Sequence, residues 1–376
     1  MNMFTEVVPG TAELSLSQHG RFSGFRSEIM MDLAVALLRL LPPEPAHHTT
    51  VWLASNFGYF LPRAKEDDPR LGIEVLGHRF ANPIGLAAGF DKNASAYHAL
   101  FKMGFGHIEC GTVTPYPQKG NPGTRILRLR EDSAVLNRMG FNNDGMEVVA
   151  SRLFRHIHDG IIGINIGANR DSGDRIDDYR AAFTLLAPLA GYVAVNVSSP
   201  NTPRLRKLQS CEALHVLLET LVKARGDMKV PLLLKIAPDL EEAELDDIAA
   251  EVAAAGIEGL IVSNTTEARP SSLKSPRSGE SGGLSGTPLF RMSTDVLRGM
   301  RVRLGPKYIL IGVGGVNSGA TAYEKIRAGA SLVQIYTALI YHGPGLVARI
   351  KRDLLAYLER DGFSCIADAV GADVKP

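Results

Sequence analysis

Cysteine is scarce: Cys110, Cys211 and Cys365 are the only three in 376 residues, far apart and without metal-ligand spacing. A disulfide framework is excluded. An odd count cannot pair fully within one chain, which favours a reducing compartment. Cys110, in the apolar stretch HIECGT, reads as a packed core residue. No metal site is expected. An excess of charge is missing too. The 41 Lys+Arg against 40 Asp+Glu give a formal net charge of +1. That leaves no global electrostatic handle for nucleic acid, so no such partner is expected. No apolar run reaches the ~18 residues of a spanning helix. The opening segment, MNMFTEVVPGTAELSLSQHG, carries Glu6 and Glu13 and lacks a basic-then-apolar signal. It lacks an Arg-rich transit composition as well. Residues 1–26 read as a loose leader, a candidate for disorder.

What is present is globular: 45% hydrophobic and 22% charged residues, with 38 glycines that imply many tight turns or backbone-lined sites. Residues 27–63 stand apart. Ile29, Leu33, Leu37, Leu40 and Leu41 form a helical stripe that Pro42-Pro43 stops. A second helix is expected from Thr50 to Leu61, ended by Pro62. Such a hairpin is too small to bury its own apolar side chains. It either docks on the main domain or forms an interfacial membrane patch. Trp52, the single tryptophan, lies with Tyr59 between Arg39 and Arg63, a mix that suits a bilayer surface.

After a strand pair, GIEVLGHRFANP, expected to cap a barrel floor, come eight short apolar runs. They span 83–89, 107–112, 161–167, 192–199, 231–237, 259–265, 308–315 and 332–338. Each is strand length and largely free of charge, as when both faces are buried. Helical patterns lie between several, including 239–255 and 320–328. Eight buried strands alternating with helices predict an α/β fold, a (β/α)8 TIM barrel, over a doubly wound sheet. The long gaps 113–160 and 266–307 are then insertions on the active-site face.

In such a barrel the reactive groups sit at the carboxyl ends of the strands. Those ends are unusually polar: Lys92, Thr112, Asn165, Asn196 with Ser198 and Ser199, Lys235, Ser263 with Asn264 and Thr265, Gly314 and Gly315, Tyr336 and Thr337. Amides in fixed positions suit a flat, heteroatom-rich ligand. GVGGVNSG supplies a glycine-rich turn after strand seven, where phosphate commonly binds. Lys92 and Lys235 fit a Schiff-base role or a fixed charge beside an anionic ligand. No His, Asp or Cys accompanies Ser199 in its motif, so a hydrolase triad is not indicated.

Taken together these segments resemble dihydroorotate dehydrogenase, in its class 2, membrane-associated, quinone-dependent branch. The carriers are NPIGLAAGFDKN (82–93), GFGHIECGTVTPYPQKGNP (104–122), LNRMGFNNDG (136–145), GINIGAN (163–169), NVSSPNTP (196–203), LKIAPDL (234–240), SNTT (263–266), SGGLSGTPL (281–289), IGVGGVNSG (311–319) and IRAGASLVQIYTAL (326–339). The resemblance covers about residues 28–352. It implies FMN on the barrel top, dihydroorotate stacked on its ring, and a place in de novo pyrimidine (UMP) synthesis. It implies Ser199 as the base that takes a proton from C5 while hydride leaves C6. Class 1 relatives carry cysteine there. Substrate contacts carry over to Lys92, Asn137, Asn196, Asn201, Asn264 and Thr265, and to the loop Asn137, Arg138, Met139, Gly140 and Phe141. FMN contacts carry over to Ala88, Gly89, Lys92, Thr112, Asn165, Asn196, Lys235, Ser263, Gly286, Gly315, Tyr336 and Thr337. Lys235 is expected near the flavin N1 edge.

The resemblance also gives the 27–63 hairpin a role in membrane contact and in admitting ubiquinone or another quinone, with His47, Arg128 and Tyr336 as the polar groups of the quinone path. A monomer peripheral on the cytoplasmic face of a bacterial inner membrane is expected, the mitochondrial inner membrane being the alternative. The barrel is expected over 71–355, with 356–376 as a tail. The competing readings are an FMN barrel for a related dihydropyrimidine, a lysine aldolase or isomerase, and a catalytically silent membrane-binding protein. One departure stands out: after NVSSPNTP the family reads Gly-Leu-Arg, whereas here Arg204-Leu205-Arg206 follows. An arginine in place of glycine can forbid a positive φ in the loop expected to close over substrate.

Overall fold

The structure is a computed structural model that describes residues 35, 37–155, 160–202 and 205–374. The leader, Ile29 and Leu33 of the first helical stripe, and Arg204 lie outside the described residues. The strands in chain order are β1 (Ile73–Val75), β2 (His78–Phe80), β3 (Ile84–Leu86), β4 (His107–Val113), β5 (Ile126–Leu129), β6 (Ala134–Asn137), β7 (Ile161–Ile166), β8 (Tyr192–Asn196), β9 (Leu232–Ile236), β10 (Gly259–Val262), β11 (Gly283–Gly286), β12 (Ile309–Val313) and β13 (Leu332–Ile335). The helices are α1 (Pro43–Phe57), α2 (Tyr97–Lys102), α3 (Met146–Phe154), α4 (Arg175–Leu186), α5 (Cys211–Arg225), α6 (Glu242–Ala255), α7 (Phe290–Leu304), α8 (Gly319–Arg327), α9 (Thr337–His342) and α10 (Leu346–Asp361).

Eight strands close a parallel barrel in the order β10-β12-β13-β3-β4-β7-β8-β9. Seven of the eight predicted runs contain one of them, and β4 runs one residue past the end of the eighth, 107–112. Strands such as LLLKI in β9 are buried at every position, so apolar side chains face both the interior and the helical ring. The helices obey local rules. Asp174 accepts from the N–H groups of Ile176 and Asp177 at the start of α4, and Gly256 ends α6 in a left-handed conformation. The β1–β2 hairpin lies at the amino-terminal end of the barrel. Phe80 packs edge-on against His107, the first residue of β4, and His78 bonds Gly191 O, just before β8.

Three boundaries differ from expectation. Helix α1 starts at Pro43, seven residues before the expected Thr50. Proline is tolerated in a first helical turn because its missing N–H would have no partner there. His47 is therefore on a helix. Helix α10 runs through position 355 to Asp361, and the following segment is docked rather than loose. Ile366 and Ala369 are fully buried, and Arg327 pairs with Asp373. Finally, the two insertions combine. β5, β6 and β11 form an antiparallel sheet in the order β11-β6-β5, around a small core of Leu127, Leu129, Ala134, Leu136 and Leu284. Helix α1 packs on this sheet and on α2. The 3-10 turn Gly58–Phe60 comes so close to α2 that a Cβ on Gly58 would lie 2.4 Å from the Ala99 Cβ.

Candidate active site

A cavity of about 490 Å³ opens at the carboxyl ends of the barrel strands. Barrel loops supply Ala88, Gly89, Lys92, Thr112, Asn196, Ser199, Asn201, Lys235, Ser263, Asn264, Thr265, Gly315, Tyr336 and Thr337. The inserted sheet and its loops supply Arg128, Asn137, Met139, Gly140, Phe141 and Gly286, and α1 supplies His47. Two residues implied by the resemblance do not line it. Arg138 turns outward to Glu280 (3.0 Å) and Ser281, and Asn165 is sealed beneath the floor.

The amides on the cavity wall are fixed in pairs. Asn201 Nδ2 donates to Asn137 Oδ1 at 2.9 Å. Asn264 Nδ2 donates to Asn196 Oδ1 at 3.1 Å, and Asn196 Nδ2 donates to Thr112 Oγ1 at 3.0 Å. Each pair joins different elements: β6 with the loop after β8, and the end of β8 with the loop after β10. The pairing fixes the orientation of these amides on the cavity wall, which suits a small planar molecule with alternating N–H and C=O groups. Lys92 stands with them, half-buried and with no ion pair among the described residues. Burial lowers its ammonium to about 8, helped by Arg125 and opposed by Glu44 and Asp91.

The two serines of the NVSSPN motif differ. Ser198 is fully buried, donates to Asn196 Oδ1 and accepts from Asn264 Nδ2 at 3.0 Å. Ser199 reaches the cavity, and its Oγ accepts the Asn201 N–H at 3.3 Å. Thr202, three residues on, keeps a buried hydroxyl that has no partner among the described residues. Arg206 braces this loop, bonding Ser198 O, Thr265 O, Asp239 and Glu267. Thr202 lies within the NVSSPNTP motif and Arg206 in the segment after it, but the sequence alone assigns neither of them a role.

Beneath the floor lies a group the sequence reading missed, Glu109 on β4. It is fully buried. Lys235 Nζ lies 3.1 Å from its Oε1, and Asn165, Gln334 and Tyr192 donate to it at 2.8, 2.7 and 3.2 Å. Burial pushes this carboxyl up, but the Lys235 ammonium and the donors from Gln334 and Asn165 outweigh it and hold the group below its ordinary range. Thr112 Oγ1 donates to Asn165 Oδ1 at 2.6 Å, which links this interior network to the amide wall.

The opposite side is a turn without side chains. A Cβ on Gly315 would lie 2.4 Å from Phe290 Cα, and Gly315 and Gly286 both have positive φ, 75° and 97°. Their backbones can therefore approach a ligand closely. Amide and hydroxyl donors on one wall, a lysine at the floor and this bare turn at the end fit the ring and phosphate of FMN.

A passage leads from there to the surface. His47 packs edge-on against Phe90, and Phe90 against Tyr336, with centroids 5.5 and 5.7 Å apart. Burial, with Lys92 and His48 adding to it, lowers His47 to about 3, so its ring is neutral. Arg128 donates to Arg39 O and Leu41 O at 2.8 and 2.9 Å and ties the N-terminal segment to β5. Around the opening, Leu40, Trp52, Phe57, Tyr59 and Phe60 are more than half exposed. No described helix is long and apolar enough to cross a membrane.

Comparisons with known proteins agree with this geometry. The family profile described as dihydroorotate dehydrogenase matches residues 70–358. A protein of Rhodospirillum rubrum named dihydroorotate dehydrogenase (quinone) is 52% identical over 345 residues, 91% of this chain and 94% of that one. A mitochondrial counterpart from Oryza sativa is 47% identical, covering 98% of this chain and 85% of its own. The crystal structure of a ligand-free dihydroorotate dehydrogenase from Eimeria tenella matches with a TM-score of 0.85 at 42% identity, covering 89% of this chain and 100% of that one.

Proposed function

The chain belongs to the dihydroorotate dehydrogenase family, and from that premise we infer that it oxidises (S)-dihydroorotate to orotate through FMN and delivers the electrons to a membrane quinone, within de novo pyrimidine synthesis. The observation that carries the substrate reading is Lys92. It is a half-buried cation without a carboxylate partner among the described residues, set beside two oriented amide pairs and Ser199. A small planar acid satisfies all of them at once, its carboxylate on Lys92 and its ring amides on Asn137, Asn196, Asn201 and Asn264.

FMN, when bound, accepts the hydride from C6 of the substrate and passes two electrons on to quinone. Ala88, Gly89, Thr112, Ser263 and Thr337 would hold its ring and side chain, Lys235 its N1 edge, and Gly286 with Gly315 its phosphate. Ser199 Oγ receives the C5 proton. Serine is a weak base, so the proton must be drained onward, and the Thr202 hydroxyl in the same loop, buried and without a partner among the described residues, can relay it by giving up its own proton toward solvent as it takes one. Ser198 is a poor candidate because its hydroxyl is already committed to Asn196 and Asn264.

Quinone enters between α1 and the barrel, along His47, Phe90 and Tyr336, with Arg128 at the side. The exposed apolar residues at the mouth support peripheral attachment to a membrane. The bacterial relatives of higher identity favour the inner membrane of a bacterium over a mitochondrion. Anaerobic mixing with dihydroorotate tests the reading: the flavin absorbance should bleach rapidly, and far more slowly with dihydrouracil, which lacks the carboxylate. Comparable rates would favour a dihydropyrimidine dehydrogenase instead.

A further inference from the structure

Lys325 on α8 is fully buried and forms no ion pair among the described residues. Its Nζ donates to Ser293 Oγ at 2.9 Å and to Thr294 Oγ1 at 3.0 Å, and it lies over the Phe290 ring. Burying an ammonium without a carboxylate is costly unless something else compensates it. Nothing in the proposed chemistry uses this residue. Its position suggests what does. The lysine stem lies against β12 at Gly312, where a Cβ would come within 3.0 Å of its Cδ. Ser293, which accepts from Lys325, lies 3.1 Å from both Gly314 O and Phe290 O and shares its one proton between them. The cation is therefore two hydrogen bonds from the glycine turn that closes the cavity.

That turn has no cation of its own: Gly314 to Ser318 and Gly286 to Thr287 contain neither Lys nor Arg. The first residue of α7 packs on Gly315, and α8 begins directly after the turn, capped by Ser318. Backbone N–H groups and helix ends favour an anion there, but they do not neutralise a dianion. We propose that Lys325 is the buried counter-cation of the FMN phosphate, acting through Ser293 and the Gly314–Gly315 turn, and that it makes this site prefer the phosphorylated flavin over riboflavin. The proposal rests on the FMN reading above. It makes Lys325 a positioning and selectivity residue that touches neither substrate nor reacting atoms.

Its charge is adjustable. Burial lowers the Lys325 ammonium to about 7, with Glu324 and Asp295 acting to raise it and Arg298 to lower it further. The β12 and β13 strands carry no charged side chain. A phosphate dianion at the turn would stabilise the protonated form, so FMN binding above neutral pH should take up a proton and weaken as pH rises.

The test is the release of flavin from purified protein on dilution, followed by recovery of flavin fluorescence, with the full chain loaded with FMN or with riboflavin. Lys325→Met should weaken FMN about tenfold or more, the scale of one charge interaction in a partly dry site, and leave riboflavin nearly unchanged. A lysine that only fills space would weaken both flavins alike, and that result would overturn the proposal, as would no change in either. The wild-type protein gives a second measurement that needs no variant. The ratio of FMN to riboflavin affinity should fall by about fourfold or more from about pH 7 to about pH 8.5. Lys92 also titrates in this cavity, but it acts on both flavins and cancels in the ratio. A flat ratio counts against Lys325. If the wild-type chain holds neither flavin, the FMN reading itself has failed.

Discussion

Glu109 and Lys235 meet at 3.1 Å in the dry interior of the barrel, and the lysine also borders the cavity. The carboxylate of this ion pair has all its capacity used, since Asn165, Gln334 and Tyr192 complete it, whereas Lys235 keeps donors free toward the cavity. Removing one partner of such a pair leaves an uncompensated charge, at a cost of about 3–5 kcal/mol. Glu109→Ala should therefore lower stability by about that amount in denaturant unfolding. Combining it with Lys235→Met should cost much less than the sum of the two single changes. Additive losses in this double-mutant cycle would mean that the two groups do not act as a unit.

The NVSSPN loop offers a sharper comparison. Ser199→Ala should slow flavin reduction by about 10²–10⁴-fold, the usual contribution of a general base, while FMN content and substrate affinity stay nearly intact. Ser198→Ala should act differently. It removes a partner of Asn196 and Asn264, so its effect should fall on substrate affinity more than on the rate of reduction. Stopped-flow mixing under anaerobic conditions separates the two. Equal losses in the reduction rate at both positions would sink the assignment of Ser199.

How far the sequence reaches is visible in particular elements. The barrel strands were legible because a strand buried on both faces writes its burial as an unbroken apolar run, as in Pro231–Ala237 with Lys235 its one charge. The inserted sheet was not legible. β5, β6 and β11 have only four residues each, and β6 takes its outer partner, β11, from about 150 positions further along the chain. The start of helix α1 is hard to place from sequence because Pro43 serves as its first residue instead of only ending the helix before it. Glu109 was missed for a different reason. It sits mid-strand in HIECGT, and its importance comes from partners on four other strands, 56 to 225 positions away. Most of the residues named through the resemblance line the cavity, while Asn165, also named so, lies just outside the lining and bonds Glu109 and Thr112.

Lys92 should set a pH limit on substrate binding. Its ammonium is lowered to about 8 in the free protein, so the charged form dominates below that pH and is lost above it. A bound carboxylate favours the charged form, so binding holds the proton on and weakens as pH rises through about 8. The second-order rate of flavin reduction should fall above about pH 8 through the substrate affinity. Lys92→Met should be slower at neutral pH and should lose that limb of the profile. A variant that keeps the same alkaline decline would show that another group is titrating.

The mouth of the cavity separates the two half-reactions. Trp52, Phe57 and Phe60 are 57%, 51% and 78% exposed on α1 and the turn after it, whereas every group proposed to touch substrate or FMN belongs to the barrel or the inserted sheet. Exchanging all three aromatics for serine removes apolar area from the surface and opens no cavity in the core. The barrel should therefore unfold at nearly the same denaturant concentration and be reduced by dihydroorotate at nearly the same rate. Vesicle binding should collapse, because buried apolar area drives interfacial attachment. Reoxidation by a long-tailed quinone in vesicles should fall with it, while a short, water-soluble quinone should still be reduced. With 41 basic against 40 acidic side chains, attachment of the wild-type chain should survive moderate salt, since hydrophobic insertion is not screened as charge attraction is. Flotation with vesicles at low and moderate salt, run beside both half-reactions, checks each part. If the triple variant still floats and still reduces the long-tailed quinone at the wild-type rate, the apolar rim is not the membrane contact.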